Sequence, residues 1–280
     1  LVPLSGDFRF DAPWEVKRCQ HMIGELTASG DEVAELAIEE LTWMRPAQDH
    51  SQPFEHLAGQ VQQEFDTFCR PFLDCPEHLQ ASAVRGAFLD WSSVVEPNRL
   101  LTRPAMYMSK NWMTNVWSWD HAFNAWAVAL TDPDLAWDQF MLLVDHQAAN
   151  GQIPDYINDV NYLTCFVKPP IHGWILSRMI EIMGELPPDR LEAAYTCLSK
   201  WTDWWFTYRD PDGDRLPVYW HGNDSGWDNA TVFDQPLPLK AADLAAFLVV
   251  QMDVLAGFAD QLGRADEAEG WRQRADETLA

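Results

Sequence analysis

Basic residues are what this chain has least of for its size. Lys and Arg total 19 against 43 Asp and Glu, a formal net charge of −24 over 280 residues. Such a surface repels phosphate backbones, which argues against nucleic acid as a partner and favours neutral, polar ligands. Paired cysteines are missing too. Cys19, Cys69, Cys75, Cys165 and Cys197 form no CxxC motif and are odd in number. That usage reads as free thiols in a reducing compartment, hence a cytoplasmic location, with Cys69 and Cys75 as the one spacing suited to a local disulfide. No apolar run approaches the roughly 20 residues of a membrane span, so no membrane partner is expected. The first residues, LVPLSGDFRF, show neither an initiator Met nor the basic-then-apolar form of a signal peptide, and read as a segment cut from something longer. Long alternating β-branched runs are also lacking, which speaks against a sheet-based core. His121, His146, His172 and His221 are scattered without HExxH-like spacing, so no metal or other cofactor is expected. Ser225 and His221 have no nucleophile elbow around them, which disfavours a serine hydrolase.

What the chain does have is tryptophan, 15 residues of it, and helical periodicity nearly throughout. Planar indoles fill cores, and they also stack on the apolar faces of sugar rings. Residues 32–43 place Val33, Leu36, Ala37, Glu40 and Leu41 at amphipathic spacing behind a candidate N-cap, Asp31. Further helices are predicted over 54–70 and 78–91, then as pairs over 118–130 with 134–149, and 170–184 with 189–208. A last pair covers 239–262 and 265–279, with Leu244, Phe247, Leu248, Leu255, Phe258 and Leu262 on one face. Pro133 suits a helix start and Gly263 a helix end. Helices joined in pairs, with unusual residues concentrated in the connections, predict an all-α toroid of helical hairpins. A soft boundary near residue 97 separates an N-terminal helical region (1–97) from the barrel segment (98–280).

Four connections share a chemical character. NVWSWDHAF (115–123) sets Trp117, Trp119 and Asp120 at the mouth of a helix, where Asp120 could equally be a cap. GQIPDYINDVNYL (151–163) is rich in amides and acids, with Gln152 and Asp155 near its start. VKPPIHGW (167–174) presents Lys168 before a stiff Pro-Pro pair; a solvated lysine is the alternative there. GNDSGWDNAT (222–231), preceded by Trp220, gathers Asn223, Asp224, Gly226, Trp227 and Asp228. A carboxyl flanked by Trp and glycines is expected to be partly desolvated, which raises its pKa and lets it keep a proton for acid catalysis. In a toroid all four loops would meet at one end of the axis, as a pocket for a small carbohydrate.

WSWDHAF, GQIPD, KPP and DSGWDN, in this order, resemble the inverting α-glycosidases of the trehalase and glycoside hydrolase family 63 clan, over about residues 105–275. GQIPDYINDVNYLTCFVKPP is similar to the trehalase form GHIPN…YYL…QPP, while DSGWDN and the Lys before Pro-Pro sit closer to family 63. The resemblance implies an (α/α)6 barrel, incomplete in this chain, and single-displacement hydrolysis of an α-glucosidic or similar small α-glycosidic bond with inversion. It places the general acid on Asp228 and sugar binding on Trp119 and Asp120. Trp117, Gln152, Asp155, Lys168, Trp220, Asn223, Asp224, Gly226 and Trp227 complete the expected substrate-binding set.

The pattern departs from the family in two ways. The arginines that line a trehalase pocket are not evident at the matching points. The family's general base is a Glu from the last part of the barrel, expected beyond residue 280. Glu267, Glu269 and Glu277 lie on an ordinary amphipathic helix, and inversion needs a second carboxyl roughly 6.5–9.5 Å from the first. A carbohydrate-binding or scaffold protein on a degenerate barrel is the rival reading. RDPDGD (209–214) has alternating acids but lacks the spacing of a calcium loop, and is expected to be a turn.

Overall fold

Residues 1–39, 48–109 and 111–280 are described by a computed structural model, and they divide into two compact units, Leu1–Glu64 and Phe65–Ala280. The boundary expected near residue 97 falls inside the second unit.

Up to residue 39 the first unit departs from the expected N-terminal helical region (1–97), whose helices over 54–70 and 78–91 are present. Its described residues carry six short strands, β1 (Val2–Ser5), β2 (Asp7–Asp11), β3 (Trp14–Glu15), β4 (Arg18–Cys19), β5 (Ile23–Thr27) and β6 (Glu35–Ala37). They pair antiparallel in a nested order: β3 with β4, β2 with β5 around it, and β1 with β6 outermost. The helix expected over 32–43 is therefore a strand where its centre is described, and residues 40–43 lie outside the described residues. Its local periodicity loses to pairing with a strand about thirty positions earlier. Such pairing depends on the partner strand, which a window of twelve residues does not contain. Val33, assigned to the buried stripe, is exposed.

Helix α1 (Phe54–Cys69) spans the division, and α2 (Glu77–Ser93) follows the Pro71–Pro76 turn. Two short strands, β7 (Val94–Val95) and β8 (Ala105–Met106), pair with each other, and β9 (Val116–Trp117) leads into the helical array. Helices α3 (Asp120–Val128) and α4 (Pro133–Leu142) form the first hairpin. Pro133 opens α4, and the Asp132 carboxylate accepts a hydrogen bond from the Leu135 amide at 2.9 Å, satisfying one donor of the first turn. Then come β10 (Tyr156–Ile157) and β11 (Tyr162–Leu163), which form with β9 a three-stranded sheet in the order β11-β10-β9.

Helices α5 (His172–Met183) and α6 (Pro188–Tyr208) are the second pair in sequence, broken at Gly184, with α6 packed on α7. After β12 (Val218–Tyr219) and its partner β13 (Leu239–Lys240), α7 (Ala242–Gln261) and α8 (Ala265–Leu279) make the third. The long-range contacts run from α3 to α5 and from α5 to α7, with α4, α6 and α8 backing that row. Most of the predicted helices recur within a few residues because their starts and stops are local features, Pro133 and Pro188 at N1, Asp132 as cap, Gly184 and Gly263 at two of the breaks. The helix expected over 134–149 instead ends at Leu142 and continues only as a 3-10 turn, Val144–His146.

The core is apolar and aromatic. Phe140, Leu142, Ile175, Leu176, Leu198, Trp201, Trp205, Leu244, Leu248 and Met252 are buried within it. The buried amide side chain of Gln251 on α7 is hydrogen-bonded at both of its ends. Its Oε1 accepts from the Gly173 amide at 3.1 Å, and its Nε2 donates to Thr202 Oγ1 at 2.8 Å. One residue thus joins α5, α6 and α7. Helix α7 also corrects an expectation, because by length and mean hydropathy it could cross a membrane. Its alanines and valines raise the hydropathy, but it packs against α5, α6 and α8 with Asp253 and Asp260 exposed.

Candidate active site

Three of the four loops are tied to one another by a single ammonium. Lys168 Nζ donates to Asp155 Oδ1 at 2.7 Å, to the Phe166 carbonyl at 3.0 Å and to the Asn223 carbonyl at 2.7 Å. It also lies 5.9 Å above the Trp117 ring, which brings in the fourth. Lys168 is neither solvated nor free, since an ammonium has three donors and all are committed.

Strand pairing sets the other end of this junction. Tyr156 lies opposite Trp117 across β9 and β10, their rings 4.8 Å apart, and the Ser118 amide donates to the Asp155 carbonyl at 2.7 Å. Asp155 is 1% exposed, and burial pushes its pKa up to about 6 although Lys168 pulls it down. Nearby Asp224 and Asp120 add to the rise. Gly151 opens this loop with a φ of +96°, and a Cβ there would fall 2.2 Å from the Lys200 carbonyl oxygen.

Trp119 stands between β9 and α3 with a φ of +70°, a conformation that costs a non-glycine residue of order 1–3 kcal/mol unless its surroundings hold it. Three rings meet it nearly edge to face: Phe123 at 5.7 Å, Phe247 at 6.1 Å and Trp227 at 6.4 Å. Gly226 (φ +73°) makes the last of these possible, because a Cβ there would lie 2.9 Å from Trp119 Cε2. Asp120 begins α3, half-buried beside this aromatic group. Burial raises its pKa, against the pull of its backbone hydrogen bond and of Lys168.

The fourth loop is a turn built around Asp224, which is 1% exposed. Its Oδ2 accepts from Arg209 at 2.8 Å and from the amides of Trp220 and His221 at 3.0 and 3.1 Å. Arg209 in turn lies over the Trp204 and Trp205 rings. Ser225 Oγ donates to the Gly222 carbonyl and accepts from the Trp227 amide. Beyond that the chain turns outward. Trp227 is 62% exposed, and Asp228 and Asn229 are exposed with it.

Several expectations change here. The sequence predicts an Asp228 desolvated by Trp227 and the glycines, yet Asp228 is exposed. The turn spends its interior on Asp224 and Ser225, which places 227–229 on the solvent side. Asp224 and Asp155 are committed within the protein, and Trp220 gives the turn its backbone amide while its ring is about half exposed. Gln152, partly buried, donates through Nε2 to the Thr164 carbonyl.

Phe123, Phe247 and Arg209 are not among the expected site residues. Phe123 follows Trp119 by four positions at a helix start, so its contact is readable from spacing. Phe247 reads in sequence only as part of the buried face of its helix, and Arg209 carries no local signal for pairing with Asp224. The RDPDGD stretch is a turn: Asp210 accepts from the Gly213 and Arg215 amides, while Lys240 bridges Asp212 and Asp214. Among the described residues no three of His, Cys, Asp and Glu converge as a metal set. Glu267 accepts from the Tyr195 hydroxyl, and Glu277 pairs with Arg215. All five cysteines are free thiols, Cys69 and Cys75 included.

The model of the mannosylglycerate hydrolase MGH1-like glycoside hydrolase domain matches residues 113–280, more than half of the chain and all four loops. An uncharacterised protein of Saccharomyces cerevisiae is 35% identical over 153 residues, 48% of this chain and 13% of that protein. The mannosylglycerate hydrolase of Rubrobacter radiotolerans is 28% identical over 143 residues, 42% of this chain and 32% of that enzyme. The chain thus matches about a third or less of the length of these curated relatives. Among solved structures, the family 63 mannosylglycerate hydrolase of Thermus thermophilus in complex with glucose superposes with a TM-score of 0.54. The sequence identity is 16%, over 69% of this chain and 63% of that one. The same enzyme in complex with Tris and D-glycerate gives 0.53. A shared helical fold and a family match over most of the second unit lead to one assignment: the chain belongs to the MGH1-like glycoside hydrolases, a family 63-like group of glycosidases.

Proposed function

We propose that this chain supplies the first part of the catalytic (α/α)6 barrel of an inverting glycosidase acting on a small α-glycoside. The observation that carries the reading is the junction itself. Four loops separated by up to a hundred residues meet around Lys168 and Trp119, and Trp227 and Asp228 are left at the exposed rim beside them. Trp119 and Trp227 offer ring surface to a sugar, and Asp120 offers a half-buried carboxylate to its hydroxyls. Asp228 is the general acid, donating its proton to the glycosidic oxygen as the bond breaks. A water, activated by a Glu that the resemblance places beyond residue 280, attacks the anomeric carbon from the opposite face, which inverts the product.

Relatives named mannosylglycerate hydrolases, and a related structure holding glucose, support a hexosyl unit of manno or gluco configuration on glycerate or another small aglycone. Proton NMR of the first product answers both questions. Mannosylglycerate, glucosylglycerate, kojibiose, nigerose and trehalose are incubated with the protein carrying this chain, and the anomer released is read before mutarotation. A β-hexose from one of the glycerates or the two glucobioses is expected. An α-hexose released from mannosylglycerate or glucosylglycerate, whose aglycone is not a sugar, excludes inversion, and no release from any of the five excludes the substrate class.

A further inference from the structure

The Lys168 ammonium has a role that neither the resemblance nor the relatives assign. Its side chain is 11% exposed, and its three acceptors at 2.7, 3.0 and 2.7 Å leave no N–H for a sugar hydroxyl. Two of those acceptors are backbone carbonyls, and each belongs to a segment whose path matters. Phe166 has a φ of +61°, an unusual conformation for a phenylalanine, and its carbonyl is turned onto Nζ. Asn223 lies in the turn that ends, three residues on, at the glycine seated on Trp119, and five residues on at Asp228. A second joint links the same two segments, since the Phe166 and His221 rings are 4.8 Å apart. The third acceptor, buried Asp155, is carried by the sheet that leads into Trp119.

We infer that Lys168 is a positioning residue: it clips the turn carrying Trp227 and Asp228 to the Asp155 carboxylate, and so sets where the acid stands relative to the sugar site. This rests on the proposed glycosidase reading for its effect on turnover, but not for its effect on the loop.

Two variants and two readouts test it. Lys168→Met keeps the aliphatic length and removes every donor. Lys168→Met/Asp155→Asn also removes the buried carboxylate that the single change leaves unpaired, the main threat to folding. Hydrogen exchange of the amides of residues 222–227 is expected to quicken at least about tenfold in both variants, the equivalent of about 1.4 kcal/mol of local opening. The amides of α6 and α7 should be unaffected.

In turnover, Lys168→Met should lower kcat on the natural glycoside about 10- to 100-fold with KM changed less than about threefold. The loss on the matching α-glycosyl fluoride should be smaller, because fluoride leaves with less help from an acid. Unchanged loop exchange in the double variant overturns the clip. So does a rise in KM alone, or an equal loss on glycoside and fluoride, either of which marks a substrate contact. If the loop loosens as expected while the unmutated protein hydrolyses no glycoside or fluoride at all, the clip stands and the glycosidase reading alone falls.

Discussion

Asp228 and Gly226 sit two positions apart and fail in different ways. Asp228→Asn keeps the side chain's shape and removes only the transferable proton. Since general acid catalysis is worth about 10²–10⁴-fold, kcat/KM on a natural glycoside should fall by that factor, while an α-glycosyl fluoride should lose under about tenfold. Steady-state rates on both substrates check this, and equal losses remove the acid assignment. Gly226→Ala acts through packing. At φ +73° with Trp119 2.9 Å from the new Cβ, both the backbone and the indole must shift, at a cost of about 2 kcal/mol. The thermal midpoint should drop by roughly 4–8 °C, and the near-UV circular dichroism of the Trp119–Trp227 pair should weaken. A midpoint within a degree of the parent would mean that the loop closes on Trp119 without needing a glycine.

At the scale of the elements, α3 and α5 meet through two histidines near their N-termini. His121 and His172 are fully buried with ring centroids 5.1 Å apart, and both His172 nitrogens lack a hydrogen-bond partner in the structure. Burial pushes His121 down to about 4, and burial together with His121 pushes His172 well below the usual histidine range. The unfolded chain takes up these protons near pH 6.5 and the folded chain does not, so stability is lost as pH falls below 6.5. Asp155 has the opposite sign: its folded value of about 6 lies above its unfolded one, so its contribution fades as pH rises toward 6. The two overlap, and only a difference measurement separates them. His172→Phe removes two unpartnered polar atoms among Phe140 and Trp201. It should stabilise by about 1 kcal/mol at pH 8, and its advantage should grow by about 1.4 kcal/mol per pH unit below 6.5. Urea unfolding of both proteins from pH 8 to pH 5 reads this directly; an advantage independent of pH would show that the imidazole titrates normally.

At the scale of the whole chain the net charge of −24 over its 280 residues bears, on the proposed glycosidase reading, on which substrate arrives fastest. A glycerate glycoside carries a negative charge and a glucobiose does not. Raising the salt from ~0.01 to ~0.2 M shortens the screening length from about 30 to about 8 Å. Accordingly kcat/KM for the glycerate glycoside should rise a few-fold while that for a neutral disaccharide stays flat. A fall with salt for the anionic substrate would indicate a local cationic funnel that overrides the global field. The sequence alone determined the features that rest on near neighbours. These are most of the helices from residue 54 onward, the start at Pro133, the end at Gly263, and the four loops that carry unusual residues. All are set within a turn or two of chain. Strands β1–β6 were not legible, because each is two to five residues long and finds its partner elsewhere in the sequence. Nor was the division of labour among the acids. Asp155, Asp224 and Asp228 look alike in sequence. Only the fold puts Asp155 on Lys168 and Asp224 on Arg209, buried and committed, and leaves Asp228 in solvent. Burial and ion pairing depend on which distant segments converge, and that is decided by tertiary packing rather than by any residue's own neighbours.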